Sequence, residues 1–255
     1  MRLKSTVRKV ARKLPDTTAQ QEEGLIAKDV DKALKVVDDI LGASDEAFAS
    51  RRFILSKVLE FGLCRMPWRP WARWSDNMNS SKFGHQQIPT EFTDYLMTLS
   101  RLKLQPAAEL GVFWGGSSYL AAAILTRANP GLTYTMIDIQ DRLVAFDRFA
   151  KRLNLIKAAP ATSDDFAGQV FDYVFIDGDH SFMGAKKDYL NLGRHARVSY
   201  GCHDIHAHEY DKHDGGTVRL WEEVKGTALL DNYVYEFAHN PKRWMGIGLV
   251  IRDLS

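Results

Sequence analysis

The chain has 255 residues, 45% hydrophobic and 26% charged, enough for one large buried core with an extension. Its net charge of +2, from 34 basic and 32 acidic residues, gives no bulk electrostatic case for binding nucleic acid. Cys64 and Cys202 lack metal-ligand spacing, and no apolar run approaches the ~20 residues of a membrane span, which argues against a disulfide framework and fits a cytoplasmic setting.

Residues 1–14 carry Arg2, Lys4, Arg8, Lys9, Arg12 and Lys13, with Leu3, Val7, Val10 and Leu14 spaced for one helical face. Such a helix either frays or packs on a partner, the favoured reading, or makes weak contact with an anionic membrane surface. Residues 17–24 are polar and read as loop. Ala27–Leu41 and Glu46–Leu63 read as two amphipathic helices, a helical cap or a homo-oligomer contact. The two prolines of Met66-Pro67-Trp68-Arg69-Pro70-Trp71-Ala72-Arg73-Trp74 exclude a continuous helix. Its tryptophans read first as a belt on the core and second as a platform for an acceptor molecule. We divide the chain into a helical extension with a Trp/Pro-rich linker, 1–83, and a main domain, 84–255.

The main domain is richest in signal at Ala107-Ala108-Glu109-Leu110-Gly111-Val112-Phe113-Trp114-Gly115-Gly116-Ser117-Ser118. The spacing predicts a buried strand ending near Glu109, a glycine turn, and a helix that Asn129-Pro130-Gly131 stops. Gly-x-x-x-Gly-Gly is neither the dinucleotide fingerprint nor a P-loop. It resembles motif I of the class I S-adenosylmethionine (SAM) methyltransferases. Next, Leu132–Ile139 is a β-rich run, and its Asp138 lies 29 residues past Glu109, one strand–helix–strand unit along. A carboxylate there can accept hydrogen bonds from ribose hydroxyls. Ser163 and Asp164 follow a third strand, where the resemblance to the methyltransferases implies adenine contacts, and they read equally as a helix cap.

Phe171–Ile176 is a buried strand ending in Asp177-Gly178-Asp179-His180, and Ala196–Cys202 is a later strand ending in His203-Asp204. The C-terminal ends of neighbouring parallel strands converge on one crevice, so these groups should meet. Two carboxylates with an imidazole can hold a divalent cation. Read singly, His180 suits a cap for a helix over Ser181–Leu192, and Asp204 an ordinary turn. His203, His206, His208 and His213 fall in one polar run, and apart from His203 they are expected in a loop over the site. Tyr233–Phe237 and Met245–Ile251 read as a hairpin on the sheet edge.

Ile176-Asp177-Gly178-Asp179-His180-Ser181-Phe182, a Lys/Asp helix, and then His203-Asp204-Ile205 resemble a group of small SAM-dependent methyltransferases, which includes macrolide-sugar O-methyltransferases and cephalosporin-hydroxylase-like proteins. Gln87-Ile88-Pro89-Thr90-Glu91-Phe92 and Gly216-Thr217-Val218-Arg219-Leu220-Trp221 fit the same group, and the likeness covers roughly residues 84–251. The resemblance implies a Rossmann-like, doubly wound α/β fold with a seven-stranded, mostly parallel sheet and an antiparallel edge hairpin. It implies a SAM-dependent O-methyltransferase acting on a hydroxyl of a small molecule or glycan. Glu109, Gly111, Gly115, Ser117, Ser118, Asp138, Ser163 and Asp164 are the expected cofactor set. Asp177, His203 and Asp204 are the expected ligands of Mg²⁺ or Mn²⁺, and His180 with Asp177 the expected catalytic pair. His203-Asp204 stands where relatives carry two acids, and an imidazole suits Mn²⁺ better than Mg²⁺. A metal-dependent oxygenase or hydrolase, and a SAM-binding protein without catalysis, are the alternatives.

Overall fold

The computed structural model describes residues 17–64, 80–206, 211–239 and 244–253. The basic segment 1–14, the Trp68–Trp74 stretch and His208 lie outside them.

The extension opens with α1 (Thr17–Leu41), α2 (Asp45–Ala49) and α3 (Arg51–Phe61). The expected loop at 17–24 is helix instead, because α1 is anchored further along by buried Val30, Ala33, Leu34, Val37 and Ile40. The single helix expected over 46–63 is divided at Ser50. The Ser50 hydroxyl accepts from Phe53 N–H at 3.4 Å and starts α3, while its own N–H closes α2 on the Ala47 carbonyl at 3.0 Å. Two short strands, β1 (Leu63–Cys64) and β2 (Ser80–Ser81), pair in parallel, and α4 (Pro89–Leu99) leads into the main sheet.

The main sheet comprises β3 (Pro106–Leu110), β4 (Thr133–Ile137), β5 (Leu155–Ala158), β6 (Tyr173–Ile176), β7 (Ser199–His206), β8 (Asn232–Phe237) and β9 (Met245–Arg252). Its spatial order is β5-β4-β3-β6-β7-β9-β8. The first five strands are parallel, and β9 runs antiparallel between β7 and β8. This is the doubly wound, seven-stranded sheet expected. The inner place goes to β9 because Ile247, Leu249 and Val250 are fully buried, whereas β8 exposes Tyr233 and Tyr235. The chain winds outward from β3 to β5 and returns to β6, so the sheet reverses between β3 and β6. Open α/β sheets bind ligands at that point, beyond the strands' C-terminal ends.

Helix α5 (Gly116–Ala128) packs on one face with α1, α4 and the short α6 (Phe146–Ala150), through Tyr119, Leu120, Phe149, Tyr95 and Leu96. Helices α7 (Phe182–Asn191) and α9 (Gly216–Ala228) cover the other face, through Phe182, Leu220 and Trp221 against Ile176 and Val250. His206 ends β7, and His213 lies in the one-turn α8 (Asp211–Asp214). None of the helices of the described residues is long and apolar enough to cross a membrane.

Candidate active site

The glycine turn after β3 is built by contact as much as by conformation. Gly111 has φ +85°, and a Cβ there would stand 2.1 Å from the Asp177 carbonyl oxygen. Only glycine lets the ends of β3 and β6 come this close. A Cβ on Gly116 would stand 1.9 Å from the Gly84 carbonyl, so this glycine seats the segment before α4 against the start of α5. The Gln86 N–H then reaches the Ser117 hydroxyl at 3.2 Å.

Beyond these strand ends lies a cleft of about 590 Å³. Of the expected cofactor set, Glu109, Gly111, Ser117, Asp138 and Ser163 line it. Gly115, Ser118 and Asp164 do not. Gly115 turns toward Tyr119 and Leu143, Ser118 is fully buried within α5, and Asp164 points at Lys187 and Asn191 of α7. Asp138 is held by two backbone donors, Phe113 N–H on Oδ2 and Gln140 N–H on Oδ1, each at 2.9 Å. Ile139 is 68% exposed and also lines the cleft, an apolar surface beside a nucleoside-sized space. Sequence reasoning passed over Ile139 and Gln87. An apolar residue directly after a strand-end acid was the available signal for the first.

Asp177, His180, His203 and Asp204 come together as expected, at the ends of β6 and within β7. Strand β7 does not stop at Cys202; it continues to His206, with an irregular register against β9 between His203 and His206. There Asp204 takes φ 52°, a left-handed conformation uncommon outside glycine. Thr217 Oγ1 donates to the Asp204 carbonyl at 2.7 Å and secures it. His203 Nδ1 lies 2.9 Å from Asp177 Oδ1, and Gln87 Nε2 donates to Asp177 Oδ2 at 3.2 Å. His180 Nδ1 lies 3.0 Å from Asp204 Oδ2. The cap of α7 is Ser181, whose hydroxyl accepts from Gly184 N–H at 3.1 Å, so His180 is left facing the cleft.

One ligand atom from each of Asp177, His180 and Asp204 lies within 4.8 Å of the others. His203 stands behind this group, its side chain 5% exposed against 24% for His180. Burial depresses both imidazoles, but the carboxylates outweigh it. His203 is raised to about 9 by the charges of Asp177 and Asp204 and the bond to Asp177. His180 is raised by its hydrogen bond to Asp204 and by the charges of Asp204 and Asp177. Burial pushes Glu109 up to about 7, opposed by the Tyr134 hydroxyl that donates to it at 2.7 Å.

Residues 108–232 match the family model described as a methyltransferase domain. No curated protein matches the sequence. Among solved structures, the O-methyltransferase TomG from Streptomyces achromogenes, involved in tomaymycin synthesis and in complex with SAM, is 17% identical, over 82% of this chain and 91% of that one, with TM-score 0.49. An O-methyltransferase from Bacillus cereus in complex with SAH is 15% identical, over 91% and 100%, with TM-score 0.49. The SAH-bound Podospora anserina methyltransferase PaMTH1 is 13% identical, over 98% and 100%, with TM-score 0.47. The matched segment holds the glycine turn, Asp138, Asp177, His180, His203 and Asp204, so the likeness to a methyltransferase domain spans the residues that build the cleft.

Proposed function

We propose that this methyltransferase transfers the methyl group of SAM to a hydroxyl of a small molecule or glycan, assisted by a divalent cation. The observation that carries the reading is the convergence of Asp177, His180 and Asp204 within 4.8 Å, in the same cleft as the glycine turn and Asp138. A cleft of about 590 Å³ suits a nucleoside of this size. Two carboxylates with an imidazole at hand suit Mg²⁺ or, better, Mn²⁺.

In this reading Asp138 holds the ribose, with Glu109, Gly111, Ser117 and Ser163 around the rest of the cofactor. Asp177 and Asp204 hold the cation, and His203 orients Asp177 from behind. When bound, the cation acidifies a coordinated hydroxyl, while SAM presents an electrophilic methyl group. His180 takes the proton from the acceptor hydroxyl, being the more exposed of the two imidazoles that line the cleft. Asp204 meets its Nδ1 and so leaves Nε2 toward the acceptor. Holding the two reactants in line is the rest of the task, worth on the order of 7–11 kcal/mol in well-oriented systems. A sugar hydroxyl is the preferred acceptor. A cytoplasmic location, a homo-oligomer, the division at 83/84 and weak membrane contact through residues 1–14 belong to the same proposal.

Transfer of labelled methyl from SAM to a panel of sugars, polyketides and phenols, with and without chelator, tests it. Label appearing only on nitrogen or carbon acceptors would remove the O-methyl assignment.

A further inference from the structure

Gln87 is 1% exposed, lines the cleft, and is tied down on one side only. Its Nε2 donates to Asp177 Oδ2 at 3.2 Å, and a carboxylate acceptor fixes which way the amide faces. Oε1 therefore points away from Asp177, and among the described residues no donor meets it. Buried carbonyl oxygens are seldom left this way. The backbone beneath is rigidly placed. Gln87 N–H donates to His85 Nδ1 at 3.3 Å, and His85 Nε2 donates to the Val58 carbonyl at 3.1 Å. Burial holds the pKa of His85 down at about 4, which keeps that ring neutral and able to accept.

The missing donor can be identified by where Gln87 sits. The Gln86 N–H on Ser117 Oγ lays this segment against the first turn of α5, where a carboxylate is favoured. The Gln87 side chain runs from there to Asp177. On SAM the carboxylate and the α-ammonium share one carbon. A carboxylate at α5 thus brings the ammonium beside Gln87, into surroundings made electronegative by Asp177. We propose that Gln87 Oε1 accepts from the α-ammonium of SAM, tying the cofactor's tail through one amide to Asp177. This rests on the SAM-binding reading of the cleft.

Calorimetry with three probes separates the possibilities: SAM, decarboxylated SAM, which keeps the ammonium alone, and 5′-methylthioadenosine, which has neither group. Gln87→Met should weaken SAM and decarboxylated SAM alike, roughly tenfold to a hundredfold, and leave methylthioadenosine unchanged. Unchanged methylthioadenosine binding also reports a folded cleft. Equal weakening of all three, no weakening of SAM, or a loss confined to SAM would each overturn the assignment. The native protein gives an independent reading free of the sulfonium charge. It should bind decarboxylated S-adenosylhomocysteine, a thioether like methylthioadenosine, at least about tenfold more tightly than methylthioadenosine, and Gln87→Met should remove that difference. Equal affinities would overturn the proposal while leaving the methyltransferase reading intact. A native protein that binds none of the three would bring both down, a result distinct from the others.

Discussion

His180 Nδ1 lies 3.0 Å from Asp204 Oδ2, and the pair meets only because the Asp204 backbone turns left-handed at φ 52°. In a regular strand His203 and Asp204 would point to opposite faces of the sheet. The irregular register of β7 brings both to the Asp177 side, with Thr217 holding the turned peptide.

That pairing sets the expected pH response. A proton acceptor must be neutral, and Asp204 raises His180 above 6.5 despite its burial. In the cation-free protein the His180 titration, followed by NMR, should therefore have its midpoint above 6.5, and a cation on Asp177 and Asp204 should lower it. Asp204→Asn should move that midpoint downward as well as lower the rate. His180→Ala should reduce kcat by about 10²–10⁴ with SAM affinity nearly unchanged. Near-normal turnover in His180→Ala, together with a large loss in His203→Ala, would transfer the role to His203.

Chelation tests the cation directly. Chelator should abolish methyl transfer, and Mn²⁺ or Mg²⁺ should restore it, with SAM binding largely retained because the ribose contact at Asp138 does not use the cation. Full turnover in chelator would leave Asp177 and Asp204 as positioning residues only.

Asp138→Ala should weaken SAM roughly tenfold to a hundredfold, the worth of a charge-assisted bond to a hydroxyl. It also releases the Phe113 and Gln140 N–H groups, so the loop after β3 should loosen. A folded variant with native affinity for SAM would remove Asp138 from the ribose.

Much of this site was legible because β3, β4 and β6 are short, mostly apolar runs with an acidic residue at or next to the C-terminal end. Parallel topology alone then gathers Glu109, Asp138 and Asp177 at one edge. What stayed hidden depends on contacts between distant segments. Gln87 reaches the site only because Gly84 and Gly116 let the chain before α4 rest on α5, and nothing local marks that approach. The turned backbone at Asp204 is likewise set by Thr217, 13 residues later. Residues 17–24 looked like loop by polarity, yet tertiary anchoring of α1 overrode that local signal. At 46–63 the helical periodicity ran through Ser50 and concealed its capping of α3.

Glu109 gives a prediction about stability that needs neither cofactor nor cation. It is fully buried, and its carboxyl is raised from 4.5 to about 7, chiefly by burial. The folded state thus holds its proton to higher pH than the unfolded chain does. Between about pH 4.5 and 7 the unfolded state releases that proton first, so stability falls as pH rises through this window. Above pH 7 the accumulated penalty reaches about 3 kcal/mol, at 1.36 kcal/mol per pKa unit. Glu109→Gln cannot ionise, and its amide oxygen can still accept from the Tyr134 hydroxyl. In scanning calorimetry without SAM, the variant should differ little from the native chain at pH 5. At pH 8 it should melt higher, by roughly 2–4 °C for each kcal/mol recovered. If the two melting differences were equal at pH 5 and pH 8, Glu109 would already be ionised in the fold at low pH, and its place against Tyr134 would carry no pH-dependent cost.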